Sequence, residues 1–344
     1  MSFERTKTEI QRLVTEKIIP GASYAVIQGN HVEQAQVGVA ELQPEIKPLW
    51  PHAVYDLASV TKVVGTTTVA LQLMAVGQLA IDRPVHDYLP AFENRQVTVL
   101  NLMTHTSGIS GYIQNRNALP ADELLAAIQK LPISQANLNH RVTYTDLGLI
   151  LTGMIIEKIL DQSIQAAVTE RVLQPLGLPD ATFKPIVAQA VPTTYSSKKG
   201  LLQGIVHDPK GQILGEHCGS AGLFASVDDL VQFAKLMLGQ VTNPAVLTPA
   251  TIESLYRDWT PNHQLRRSFG WNLWHMGSAR TPIIFHTGYT GTLLMLDRES
   301  QSALVFLSNR VHPVAHNANF LPARRRLIAA WIADVVNNQS GGLV

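Results

Sequence analysis

Val54-Tyr55-Asp56-Leu57-Ala58-Ser59-Val60-Thr61-Lys62 is the stretch on which the reading of this chain turns. Val54 to Leu57 has the character of a strand, and the uncharged run from Val63 to Leu73 has that of a helix. Ser59 therefore stands at a predicted helix N-terminus, where free backbone N–H groups favour developing negative charge. Lys62 follows three positions later, and residues three apart share one helix face. A lysine beside a serine hydroxyl can, once neutral, take its proton, and the alkoxide then attacks an acyl carbon. The plainer alternative is an N-cap serine followed by a solvated lysine. A motif this short needs its context.

The 344 residues, 46% hydrophobic and 15% charged, suffice for one large domain or two closely packed ones. A formal net charge of +1 is no clustered basic excess, so no nucleic-acid partner is expected. The single cysteine, Cys218, excludes an internal disulfide and reads as a small buried apolar residue. Charged residues recur from Glu4 to Lys17 with no apolar signal segment, so the protein reads as cytoplasmic. The longest uncharged run, Val63 to Ile81, contains three threonines, two glutamines and Gly77. It suits a helix buried in a core better than a membrane span.

Phe3, Ile10, Leu13, Val14 and Ile18 recur at helical spacing, predicting a first helix that stops before Pro20. Ala22–Gln28 and Val32–Val39 then read as strands joined by a Gly29-Asn30 turn. Gln43 to Pro51, with three prolines, reads as a connection. Helices are expected over Asp122–Lys130, Leu147–Leu160, Gln165–Leu173 and Asp228–Leu238, the last capped by Ser226. Pro185 to Gly215 shows no clear pattern. Strands return at Ser268–Trp274, Thr281–His286, Thr292–Asp297 and Ala303–Leu307, and a helix closes the chain over Ala323–Val336. The simplest architecture is α+β: one antiparallel sheet built from both ends of the chain and flanked by the terminal helices. Residues 1–58 and 261–344 would form this sheet subdomain, with a mainly helical subdomain, 59–260, inserted. A cleft between the two is the natural place for a site.

Ser59-Val60-Thr61-Lys62, Tyr144-Thr145-Asp146 just ahead of a long helix, and His286-Thr287-Gly288 at the end of a late strand occur in that order. Together they resemble the serine β-lactamase-like and penicillin-binding-protein-like hydrolases. That group includes class C β-lactamases, D-Ala-D-Ala carboxypeptidases and β-lactamase-like esterases. Leu102-Met103-Thr104-His105-Thr106-Ser107-Gly108, Pro175-Leu176-Gly177 and Gly219-Ser220-Ala221-Gly222-Leu223-Phe224 support the resemblance, which runs from about Ile18 to about Pro313. It implies a β-lactamase/transpeptidase-like fold and an acyl-enzyme mechanism without metal or organic cofactor. Ser59 would be the nucleophile, and Lys62 would help deprotonate it. Tyr144 would act as general base and acid, a role that needs a nearby positive charge because a free phenol titrates near 10. The N–H groups of Ser59 and Tyr289 would form the oxyanion hole, with His286, Thr287 and Gly288 lining the opposite wall. Gly288 and Gly291 read as places where substrate approaches the backbone.

Two positions depart from the pattern. Asp146 stands where Asn is frequent, and could either pair with Lys62 or cap the Leu147 helix. His286 stands where many members carry Lys, and a histidine with an ordinary pKa near 6.5 is mostly neutral at pH 7. Arg266, Arg267 and Arg280 are nearby in sequence without a visible route to the site. Small uncharged esters or amides are therefore the expected substrates, with D-Ala-D-Ala peptides or β-lactams as the alternative. A binding or sensing protein with little turnover is a third reading. The partner is a small-molecule acyl substrate, and the oligomeric state is open.

Other candidates are weaker. No G-x-S-x-G or nucleotide-loop pattern is present. His207, Asp208, Glu216, His217 and Cys218 match no usual zinc spacing. His312 and His316 read as surface residues, and His105 as bonded within its own loop. Trp271, Trp274 and Tyr289 suit either a substrate wall or the core.

Overall fold

Both ends of the chain meet in one sheet. In the computed structural model, which describes residues 3–277 and 280–340, seven strands lie in the order Lys47–Pro48, His31–Glu41, Gly21–Gln28, Ser302–Ser308, Leu293–Asp297, Ile283–Thr287, Asn272–Trp274. Every neighbouring pair is antiparallel. The central pairing sets Tyr24 opposite Phe306 and Val26 opposite Leu304, with Ala25 opposite Val305 between them.

Successive side chains of a strand point to opposite faces, and here both faces are covered. Tyr24, Val26, Met295, Leu304 and Phe306 pack with Ile10 and Leu13 of the first helix, Glu4–Thr15, and with Leu327 and Trp331 of the last, Phe320–Ser340. Ala25, Ile27, Leu294, Leu296, Val305 and Leu307 pack with Val63, Leu71 and Phe233 of the helical part. A strand covered on both sides reads as a continuous apolar run. Leu293–Asp297 and Ser302–Ser308 are accordingly buried along their whole length.

The helix Leu147–Leu160 has the predicted bounds, and Val227–Leu238 starts one residue before the predicted Asp228 with a capping box between Ser226 and Asp229. Three local readings change. Lys47–Pro48 forms a short edge strand, one of the few sheet positions where proline is tolerated. The strand predicted from Ser268 begins only at Asn272, because Gly270 turns at φ +72° and donates its N–H to Met103 O. The stretch from Pro185 to Gly215 holds a small strand pair, Tyr195–Ser196 with Gly200–Leu201, and a helix, Pro209–Leu214, capped by Asp208. Proline at the first position of that helix is itself a start signal. Among the described residues no helix is long and apolar enough to cross a membrane.

Candidate active site

The strand residues Tyr55-Asp56 pair with Phe224-Ala225, so the quoted stretch enters the site along the Gly219–Phe224 segment. Ala58–Val60 is a tight turn, Lys62–Thr66 a widened helical turn, and the regular helix begins at Thr67. Ser59 thus sits on the turn ahead of the helix proper. Asp56 locks this geometry from inside the core. Its Oδ1 accepts from Ala58 N at 2.8 Å and its Oδ2 from His207 N at 2.7 Å. Burial pushes the Asp56 carboxyl up to about 6 despite these two donors.

Lys62 is fully buried. Its Nζ lies 2.7 Å from Ser59 Oγ, 2.7 Å from Asp146 Oδ1 and 3.0 Å from Ser220 O. Three acceptors around three N–H groups satisfy an ammonium completely. Burial opposes that charge, but Asp146 and Tyr144 outweigh it, and Lys62 titrates above an ordinary lysine. Of the two roles open to Asp146, pairing is the one observed, since its side chain caps no helix N–H. Its other oxygen, Oδ2, lies 2.9 Å from Lys210 Nζ, which also lies 3.1 Å from Asp208 Oδ2. Burial raises the Asp146 carboxyl, yet the two lysines overcome this and hold it well below the usual carboxylate range.

Ser59, Tyr144, Asp146, His286, Thr287, Gly288 and Tyr289 line one cleft of roughly 1050 Å³, with Lys62 behind them. The Tyr144 ring has Lys62 Nζ 5.4 Å and Arg267 Cζ 5.6 Å from its centroid, within the range of a cation–π contact. The His105 ring packs tilted against the same ring, 4.7 Å between centroids. His105 Nδ1 accepts from Thr145 N at 3.5 Å and its Nε2 has no partner, so the ring braces the tyrosine segment and not, as expected, its own loop. The wall carrying Gly288 is tied to the nucleophile strand, because Thr290 Oγ1 donates to Asp56 O at 2.7 Å and Thr292 Oγ1 to Leu57 O at 2.9 Å. Those ties explain Gly288. A Cβ there would stand 2.0 Å from Thr292 Oγ1 and 2.6 Å from Leu57 O, so the close approach is by the protein's own atoms rather than by substrate.

His286 is buried, and neither ring nitrogen has a hydrogen-bond partner. Burial, reinforced by the charges of Lys62 and Arg267, holds it well below 6.5. It is a neutral ring throughout the physiological range and supplies no titrating charge. Permanent cations come instead from arginine: Arg266, Arg310 and Arg324 line the cleft, and so does Arg267, although it is only 3% exposed. Burial lowers its guanidinium to about 10, still far above neutrality. It donates through Nη1 to Asn272 Oδ1, its Nε has no partner, and among the described residues no carboxylate pairs with it. Arg280, by contrast, is engaged by Asp297 at 2.7 Å and by Glu299 at 3.1 Å.

Of the other sequence candidates, Asp208 and His316 line the cleft, and most of the rest lie elsewhere. Trp271 is core and Trp274 is partly exposed elsewhere, leaving Tyr289 as the aromatic of that group in the site. His312 is buried rather than superficial, because its Nε2 accepts from Leu42 N and Gln43 N. His217 pairs with Glu157, Cys218 is buried against Ser220, and Asp208 holds Lys210. Lys210 lies in the stretch Pro185 to Gly215, where the sequence shows no clear pattern, and sequence reasoning missed it. The one clue to its position is Asp146 itself, a carboxylate where an amide is frequent.

This fold and cleft define a β-lactamase/transpeptidase-like protein. A class C β-lactamase from Rhodobacter sphaeroides superposes with a TM-score of 0.77 at 18% identity, covering 97% of this chain and 99% of its own. A hydrolase with promiscuous acyltransferase activity superposes at 0.74 with 17% identity, over 94% and 97% of the two chains. A Salmonella gallinarum protein named "Putative D-alanyl-D-alanine carboxypeptidase" is 25% identical over 92% of this chain and 86% of its own. The chain belongs to the Beta-lactamase family, whose model matches residues 7–327.

Proposed function

We propose that the protein is a serine hydrolase that works through an acyl-enzyme at Ser59. The observation that carries this reading is Lys62 Nζ at 2.7 Å from Ser59 Oγ in a buried setting at the floor of a cleft. Ser59 Oγ attacks the substrate carbonyl while its proton passes to neutral Lys62 or to the Tyr144 phenolate. The N–H groups of Ser59 and Tyr289 hold the developing oxyanion. Such donors are worth about 3 kcal/mol of barrier each. Tyr144 returns a proton to the leaving group, and water then hydrolyses the ester at Ser59 along the reverse proton path.

Substrates are small esters or amides, as the sequence suggests. Arg267 adds a second reading. An unpaired guanidinium in the cleft favours a substrate with a carboxylate near the scissile bond, as in D-Ala-D-Ala peptides or β-lactams. The test is mass labelling with a fluorophosphonate followed by turnover of an aryl ester. Label should fall on Ser59, and Ser59→Ala should lose both label and turnover. Undiminished ester hydrolysis by Ser59→Ala would overturn the proposal. Labelling without turnover would point instead to a binding or sensing protein.

A further inference from the structure

Lys210 is the residue of the charged cluster that the mechanism above leaves idle. It is nearly buried, with its Nζ bridging Asp146 and Asp208 at 2.9 and 3.1 Å. It occupies the first turn of the helix Pro209–Leu214, the end at which the helix dipole disfavours a cation. Tertiary contacts, not local preference, therefore hold its charge there. The result is an alternating row of Ser59, Lys62, Asp146, Lys210 and Asp208, each in hydrogen-bond or ion-pair distance of the next.

We propose that Lys210 is a positioning residue for this reaction, drawing on one oxygen of Asp146 so that the other orients Lys62 without locking it as an ammonium. The proposal rests on the reading of Ser59 as nucleophile. In the resting cluster Lys62 donates to Ser59, Asp146 and Ser220. To act as base it must first release one proton to solvent. Asp146 and Ser220 then keep its two remaining N–H groups, and the lone pair faces Ser59 Oγ. The Ser59 proton moves onto that lone pair as the Oγ–carbon bond forms. Proton release leaves Asp146 with less cationic neighbourhood, and Lys210 limits that loss. The other groups facing Lys62 do not substitute for it. Arg267 lies over the Tyr144 ring at 5.6 Å and makes no contact with Asp146, while His105 and His286 are held neutral by burial.

The consequence is directional. Removing the Lys210 charge concentrates Asp146 on Lys62 and makes Lys62 harder to deprotonate. Removing Asp208 leaves Lys210 to Asp146 alone and makes Lys62 easier to deprotonate. Asparagine at position 208 still caps the helix. The experiment is kcat/KM for a neutral aryl acetate, corrected for spontaneous hydrolysis and followed from about pH 7 to about pH 12, a window that reaches a lysine held above its ordinary value. It compares the wild-type protein with Lys210→Met, Lys210→Arg and Asp208→Asn, each checked for folding by thermal denaturation.

Lys210→Met should move the rising limb of the profile upward by about one pH unit, a loss of roughly tenfold at neutral pH. Lys210→Arg should restore the wild-type midpoint, and Asp208→Asn should move it downward. A Met variant that loses amplitude but keeps the midpoint would overturn the proposal, since that is the behaviour of a merely structural lysine. Should Lys210→Met not fold, an unshifted Asp208→Asn midpoint overturns it and a downward shift supports it. Ser59→Ala run alongside separates the two levels, because retained turnover there defeats the nucleophile reading rather than the role of Lys210.

Discussion

At the scale of single residues, charge placement decides what the cleft can accept. Arg267 is buried, charged and without an acidic partner among the described residues. A hydrogen-bonded charge pair is worth about 1.5–3 kcal/mol. Arg267→Ala should therefore raise KM for a D-Ala-D-Ala peptide or a cephalosporin by about 10- to 100-fold, leaving a neutral aryl ester within a few-fold. Arg267→Lys should recover only part of the loss, because an ammonium lacks the two-pronged fork. Equal losses for charged and neutral substrates would assign Arg267 to packing. His286 makes the opposite point. A titrating imidazole would make carboxylate binding fade as pH rises through its pKa. Burial has already moved this ring well below 6.5, so KM for a carboxylate substrate should be flat through neutrality.

At the scale of elements, the site depends on how the late strand Ile283–Thr287 docks beside the nucleophile turn. Two threonine hydroxyls tie its following loop to the carbonyls of Asp56 and Leu57. Those ties leave no room for a side chain at position 288. Gly288→Ala should push the loop and the Tyr289 N–H away from Ser59. On the proposed mechanism kcat for an aryl ester should fall by about 100-fold, the size of losing one oxyanion donor, with KM little changed. Activity within threefold of wild type, read alongside an unchanged Tm, would show that the loop does not position that donor. The turn at Ser59 carries a related lesson. Sequence spacing places Ser59 and Lys62 together, but Ala58 at φ +46° and the widened turn at Lys62–Thr66 are what aim them at each other.

At the scale of the whole molecule, the first and last helices close one face of the sheet, and the last reaches the cleft only with its first turns, at Leu321 and Arg324. Thr6 donates its N–H and its hydroxyl to Asp334 Oδ2, both at 2.8 Å and both buried. Asp334 thereby satisfies a first-turn N–H of the opposite helix. Asp334→Ala should destabilise the protein by about 1–3 kcal/mol, a Tm loss of a few degrees, by leaving those donors unpaired. Ester kcat/KM at room temperature should be unchanged, because the contact lies beyond the sheet from Ser59. A large loss of activity in the folded variant would show that the sheet transmits strain to the site.

What the sequence determined by itself is everything governed by local pattern. Alternation and apolar runs mark the strands Gly21–Gln28 and Ser302–Ser308, and Ser226 marks its helix. The serine, tyrosine and histidine motifs pointed, through the family resemblance they carry, to Ser59, Tyr144 and His286, and these three line one cleft. Tertiary structure alone decided which charges face them. Arg267 enters the cleft because Gly270 turns the chain before the strand at Asn272 starts, and Lys210 reaches Asp146 because Asp56 pins the His207 backbone beside the nucleophile. The same folding buries His286 and removes it as a titrating cation. Local periodicity reports how a segment meets its neighbours in sequence. The sharing of one carboxylate by two lysines depends on packing between distant segments, and no local pattern encodes it.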